Sequence, residues 1–243
     1  MISHGSTVDM SDAAYYAERW ERFDYANTFA LARITTILDM MQEAKLKEHP
    51  RICDLGCGAG WATGILGIFG PTTGVDLAPP QSARQRYSYC EFLATDILEW
   101  RHPSECFDLV VSQETLEHID VNGQGAYLDV ARGLLRDRGY LILTTPNRRT
   151  MEAFRGGGRT WSDQPIENWL YANDLKVLLR KHKFQVIRLT SFVLGYGSLG
   201  FYRLVNSGKV NRLLGLAGIQ PIWRRLLARG NFGLHLAVLA QKT

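Results

Sequence analysis

The residues best placed to do chemistry form the run Asp54-Leu55-Gly56-Cys57-Gly58-Ala59-Gly60, which closes an apolar, strand-like stretch and opens a helical one. Glycines at such a junction let a ligand approach the backbone, and the free N–H groups of a helix start can face a negative group. Asp76 stands twenty residues after Gly56, near the end of the next apolar run, Thr72 to Leu77. A carboxylate there can accept hydrogen bonds from both hydroxyls of a ribose, so the two features together point to a nucleoside-containing cofactor. The dinucleotide fingerprint GxGxxG would place its third glycine at Trp61, whereas the glycines here run GxGxG.

These residues must be held by regular elements. Residues 13 to 44 read as helical, with Ile34, Ile37, Leu38 and Met41 on one stripe, and Pro50 ends that region. Short apolar runs follow at Arg51 to Cys57, Thr72 to Leu77, Cys90 to Asp96, Phe107 to Ser112 and Gly139 to Thr145, separated by turns and helical stretches. That alternation predicts an α/β parallel sheet. A helix carrying Tyr127, Val130, Ala131 and Leu134 on one face precedes the Gly139 strand, another runs from Tyr171 to His182, and strands are predicted at Phe184 to Phe192 and Leu234 to Gln241. The segment Asn147 to Gln164, with Gly156, Gly157 and Gly158 between Arg155 and Arg159, reads as a mobile binding loop.

The glycine spacing resembles the first motif of class I S-adenosylmethionine-dependent methyltransferases, in which the glycines pass under the amino acid part of the cofactor. Asp96-Ile97 resembles the family's adenine contact, Phe107-Asp108-Leu109-Val110-Val111 its fourth-strand motif, and the segment Leu134 to Leu141 its helix-to-strand turn, so the likeness covers Arg51 to Asn147. It implies a Rossmann-like fold: a seven-stranded mixed sheet with an antiparallel last strand and helices on both faces. Around a cofactor-binding core (49–192) would lie an N-terminal helical cap (1–48), a helical insertion (193–232) and the last strand (233–243). It further implies S-adenosyl-L-methionine as cofactor and S-adenosyl-L-homocysteine as product, held by Asp54, Gly56, Gly58, Asp76, Leu77, Asp96 and Ile97. The aromatic run Tyr15-Tyr16-Ala17-Glu18-Arg19-Trp20 is expected either to lid that cofactor or to pack as ordinary core.

Ser112 to Ile119 resembles the ubiquinone-biosynthesis O-methyltransferases and related sugar and natural-product O-methyltransferases. By that likeness Gln113 lies beside the methionine part of the cofactor and Arg33 meets its carboxylate, a solvated helix position being the alternative for Arg33. In-line alignment supplies most of the rate of methyl transfer. An alcohol or phenol acceptor must also lose a proton, and histidine suits that task near neutral pH, which makes His118 the candidate base. Its alternative is packing or capping at a helix start. The same relatives imply a minor reading in which Glu114, Glu117 and His118 hold Mg²⁺, a permissive site at best because this ion favours oxygen ligands.

The composition, 46% hydrophobic and 21% charged over 243 residues, is that of a globular domain rather than a disordered chain. Cys53 and Cys57 sit inside the strand pattern while Cys90 and Cys106 are isolated, which predicts reduced packing cysteines in the cytoplasm. Met1 to Asp12 lacks the pattern of a secretory signal, and no apolar run reaches the ~20 residues of a membrane span. Charge is strongly polarised. No acidic residue follows Asp174, so residues 1–174 carry a net −8 and the remainder +12.

The segment Val193 to Phe232 interleaves Leu199, Phe201, Leu213, Leu216, Ile222 and Trp223 with arginine and lysine. Such basic amphipathic helices suit an anionic membrane surface, a partner, or an amphiphilic acceptor such as a lipid-linked glycan; a helical subdomain with a solvated basic face is the plainer alternative. No nucleic-acid-binding module is recognisable. The sequence therefore predicts O-methylation of a small-molecule, sugar or lipid-linked acceptor, with the protein cytoplasmic and peripheral at the inner face of the membrane. N- or C-methylation, or a non-catalytic cofactor-binding scaffold, are the alternatives.

Overall fold

The computed structural model describes residues 10–22, 27–100, 105–155, 166–194, 204 and 207–243. Helices α1 (Met10–Arg22) and α2 (Thr28–Glu43) come first. The alternating part then runs β1 (Ile52–Leu55), α3 (Trp61–Leu66), β2 (Thr72–Asp76), α4 (Gln81–Arg86), β3 (Glu91–Ala94), β4 (Phe107–Gln113), α5 (Gln124–Leu134) and β5 (Leu135–Pro146). It continues with α6 (Arg148–Arg155), α7 (Ala172–Lys181) and β6 (Phe184–Phe192), then α8 (Gly208–Leu216), α9 (Gln220–Arg229) and β7 (His235–Lys242).

The sheet order is β3-β2-β1-β4-β5-β7-β6, and only β7 runs against its neighbours. The chain crosses from one half of the sheet to the other between β1 and β4, which are adjacent and parallel. Crossovers leave the two halves in opposite directions there, so a crevice opens beyond the carboxyl ends of these two strands.

Alternation along the strands splits the core. On one face Cys53, Leu55, Val110, Leu141, Leu143 and Val238 pack with α5 and α7 through Tyr127, Leu128, Ala131, Leu134, Leu175 and Leu179. On the other, Ile52, Leu109, Val111, Ile142 and Leu239 pack with α2 through Ile37, Met40 and Met41, and with Leu66 of α3. Strands buried on both faces carry near-continuous apolar runs, which is why they were readable from the sequence.

Four expectations change. The helical region 13 to 44 is two helices: Asn27, extended, caps α2 by accepting from the Ala30 N–H at 2.9 Å. β5 begins at Leu135 rather than Gly139, because Leu135 pairs with Phe107 before the register slips at a bulge where Arg138 takes φ +61°. On α5, Leu128 rather than Val130 completes the buried stripe. Residues 148–155, expected as loop, form α6; Gly156 to Gln164, with Arg159, lie outside the described residues, as do Leu199 and Phe201. All four cysteines are free.

Candidate active site

The loop from β1 to α3 is built on glycines with positive φ: Gly56 at +85°, Gly58 at +51° and Gly60 at +76°. At Gly56 a Cβ would also collide with the Thr115 side chain, so both conformation and space require glycine there. The loop is docked on β2, since the N–H groups of Gly56 and Cys57 both donate to the Val75 carbonyl, at 2.8 and 3.0 Å. α3 is only six residues long, and the Gly58 N–H donates to Asp76 Oδ2 at 2.9 Å. These amides hold the loop in shape rather than offering a free anion site.

A 430 Å³ cavity opens at the switch between β1 and β4. Every predicted site residue except Asp54 lines it: Arg33, Gly56, Gly58, Asp76, Leu77, Asp96, Ile97, Gln113 and His118. Asp54 stands behind the wall, fully buried. Its Oδ2 accepts from the Thr63 hydroxyl at 2.7 Å and its Oδ1 from the Gln113 amide at 3.2 Å, so it orients Gln113. Burial pushes its pKa up to about 6, against the pull of those two donors. Asp96 accepts from the Leu98 N–H at 2.8 Å, which fixes the turn that presents Ile97 to the cavity.

Asp76 Oδ1, the atom a ribose hydroxyl would need, accepts instead from the Trp20 indole N–H at 3.2 Å. Trp20 stacks on Tyr16 at 5.9 Å and lies against Gly58, where a Cβ would come within 3.3 Å of it. α1 thus covers the nucleoside side of the cavity through the aromatic run singled out in the sequence. Burial raises the Asp76 pKa, and its backbone and indole donors counter that rise.

The cavity wall also carries two carboxylate–histidine pairs. Glu114, at φ +51° after β4, places Oε2 2.6 Å from His235 Nδ1 and Oε1 3.6 Å from Arg33 Nε. Burial opposes its charge, yet His235 and Arg33 hold its pKa down to about 2. Glu117 is also buried; desolvation and the nearby Glu114 charge push its pKa well up, while the Thr145 hydroxyl donates to its Oε2 at 3.0 Å. The charge that His235 and Arg33 keep on Glu114 thus works against a second charge on Glu117. His118 follows on a single 3₁₀ turn, its Nδ1 bonded to the Ile166 carbonyl at 2.8 Å and its Nε2 3.9 Å from Glu117 Oε1. Burial lowers its pKa, so the ring is neutral at neutral pH, and a carbonyl partner for Nδ1–H leaves the lone pair on Nε2.

Glu114, Glu117 and His118 do not form a magnesium site. Glu114 is turned to His235 and Arg33, Glu117 to Thr145, and among the described residues no three His, Cys, Asp or Glu side chains form a group able to hold a metal. His235 escaped the sequence reading because nothing marks a histidine at the start of an apolar strand, and β7 brings it to Glu114 across 121 positions. Arg33 Nε is buried without a hydrogen-bond partner, an orphan donor on the cavity wall that a ligand carboxylate would satisfy.

Comparison with known proteins bears on this cavity. A family described as "Methyltransferase domain" matches residues 20–189. The trans-aconitate 2-methyltransferase of Paracidovorax citrulli is 29% identical over 123 residues, 48% of this chain and 46% of that protein, so the match spans less than half of the relative's length. Among solved structures, the Burkholderia thailandensis 1,6-didemethyltoxoflavin-N1-methyltransferase with bound 1,6-didemethyltoxoflavin and S-adenosylhomocysteine superposes with a TM-score of 0.60 at 20% identity, over 96% of this chain and 86% of that one. The N-methyltransferase NodS of Bradyrhizobium japonicum, in complex with S-adenosylhomocysteine, gives 0.61 at 18%, over 93% and 98%. At such identities the structural likeness carries the fold.

Two predictions follow from the geometry. In titration calorimetry with S-adenosylhomocysteine, Asp76→Ala should weaken binding roughly 100-fold, since hydrogen bonds to a charged acceptor contribute ~1.5–3 kcal/mol. Trp20→Phe keeps the ring but releases Asp76 Oδ1 and should tighten binding about fivefold; weaker binding by this variant would show that the indole N–H is no competitor. The second concerns acid. Because the folded pKa of Glu114 lies below its ordinary value of 4.5, it contributes stability that is present above that value and lost as pH falls toward 2. The urea midpoint of the wild type should therefore drop more steeply between about pH 5 and 3 than that of Glu114→Gln, and parallel curves would mean that this carboxylate is not ionised in the fold.

Proposed function

The chain belongs to the class I S-adenosylmethionine-dependent methyltransferases, and on that premise we propose that it methylates an oxygen of a small-molecule, sugar or lipid-linked acceptor. The supporting observation is the neutral imidazole of His118 on the cavity wall, with Nδ1 tied to the Ile166 carbonyl. When bound, the cofactor supplies a methyl group on a cationic sulfur.

Asp76 would accept the ribose hydroxyls in place of Trp20, and Asp96 with the Ile97 N–H would meet the adenine. Arg33 would pair with the cofactor carboxylate through its orphan Nε, and Gln113, oriented by Asp54, would border the methionine part. His118 Nε2 takes the proton from the acceptor hydroxyl as the new bond forms; burial keeps the imidazole unprotonated for that task. Glu117 Oε1 stands 3.9 Å from that nitrogen and flanks the ring. The proposed location is the cytoplasm, peripheral at the inner face of the membrane, which the basic C-terminal third supports.

NodS, by its description, methylates nitrogen, so an amine acceptor is the second reading. An amine that arrives deprotonated needs no base. His118→Ala should lower kcat/KM by at least ~100-fold on an acceptor panel while leaving S-adenosylhomocysteine binding unchanged. In the wild type the rate should hold down through pH 6.5 and fall only at more acid pH, because a pKa lowered from 6.5 keeps the base form dominant past that point. A loss of only a few-fold in the variant would favour nitrogen or carbon transfer.

A further inference from the structure

The insertion before β7 leaves an apolar face uncovered. On α8 the exposed side chains beyond glycine are Lys209, Arg212, Leu213 and Leu216, and on α9 the exposed positions include Ile222, Arg225, Leu226 and Arg229. Each set follows i, i+3, i+4, i+7 spacing and so forms one stripe of its helix. Leu213 is 68% and Leu216 81% exposed, Ile222 and Leu226 are more than half exposed, and Ile219 at the turn between the helices is exposed as well. The opposite sides face the protein: Leu227 is buried, Trp223 is half-buried, and the Ala228 carbonyl accepts from the Ser191 hydroxyl on β6 at 2.9 Å. Trp223, which the sequence suggested for an interface, is thus turned inward.

We propose that the α8–α9 hairpin lies in the surface of an anionic membrane, inserting Leu213, Leu216, Ile219, Ile222 and Leu226 between lipids. The charges identify the occupant. Lys209, Arg212, Arg225 and Arg229 share the apolar stripes, and no acidic residue occurs after Asp174. Long cationic side chains can bury their stems beside the leucines and return their charged ends to phosphate, an arrangement a bilayer surface accommodates. A nucleic-acid backbone would use the arginines and leave five large aliphatic side chains in water.

The hairpin is also placed to serve the cavity. α9 ends at Arg229, and the Asn147 side chain, directly after β5, donates to the Asn231 and Gly233 carbonyls at 2.9 and 2.8 Å. Arg149 donates to the Gly230 carbonyl at 3.2 Å and covers the Phe232 ring at 4.1 Å. Pro146 and His235, on either side of this junction, both line the cavity. A membrane at the hairpin would therefore lie beside the wall formed by Glu114 and His235, where a lipid-linked acceptor would enter.

This inference rests on the proposed peripheral location and not on the methyl transfer. The full chain would be sedimented with phosphatidylcholine vesicles holding about 30% phosphatidylglycerol, at about 50 and 500 mM salt, with S-adenosylhomocysteine binding measured on the same samples. Binding is expected at low salt and is lost at high salt. Arg212, Arg225 and Arg229 changed together to Gln should weaken it on the order of 100-fold, at roughly fivefold per charge. Leu216→Glu with Ile222→Glu should abolish it, and both variants should keep cofactor affinity. Absence of binding at low salt, equal binding to pure phosphatidylcholine, retention on duplex DNA instead of vesicles, or self-association removed by the glutamate pair would each overturn the proposal. Loss of S-adenosylhomocysteine binding with vesicle binding intact would count against the methyltransferase site alone.

Discussion

The carboxylate of Asp76 ties the site together. It ends β2 beside the loop that leaves β1, accepts from the Gly58 N–H and from the Trp20 indole, and so fixes both the floor and the cover of the cavity. Three glycines in left-handed conformations carry a high ordering cost. What offsets that cost is a set of hydrogen bonds made by the loop itself, two to the Val75 carbonyl and one to Asp76. The loop therefore holds its shape through its own hydrogen bonds, with α1 fixed over it by the Trp20–Asp76 bond.

Buried carboxyls crowd the carboxyl ends of β1, β2 and β4, and their differing environments give them different work. Asp54, with two donors and, among the described residues, no ion pair, is pushed up to about 6 and serves as an acceptor that orients Gln113. Glu114, between His235 and Arg33, stays ionised, and its charge is one reason Glu117 is pushed up. The upward shift of Glu117 and the downward shift of His118 share a cause, since burial beside the cavity makes an unpaired charge costly. The left-handed backbone of Glu114 is the local strain that turns its side chain away from Glu117 and toward β7.

Much of this was legible in the sequence, and the limits have physical causes. The parallel strands showed because burial on both faces forces uninterrupted apolar runs between turn residues, and the glycine loop with Asp76 showed because its chemistry needs fixed residue types at fixed spacing. Asp54 was misplaced by one layer: the motif locates it, but only the fold shows that Thr63 and Gln113 absorb its oxygens. His235 and the Trp20 bond to Asp76 are contacts across 121 and 56 positions, set by the antiparallel return of β7 and the fold-back of α1, and no local pattern encodes either. The early start of β5 escaped for a related reason, since Leu135 pairs through a bulge that breaks strand periodicity.

The opposed charges of the two parts of the chain acquire a geometric sense once the topology is known. Residues 1–174, net −8, supply the glycine loop and most of the acidic wall, whereas the later residues, net +12, supply β6, β7 and the exposed hairpin. β7 is the element that joins them. It lies between β5 and β6 in the sheet, and its first residue, His235, pairs with Glu114 in the cavity only six positions after α9 ends. Were the cationic surface to draw the protein to an anionic boundary, as proposed, the wall formed by Glu114 and His235 would lie beside that boundary. Electrostatic attraction acts over about a Debye length, and apolar contact acts only on touching, so charge would set the approach and the leucine stripe the final seating.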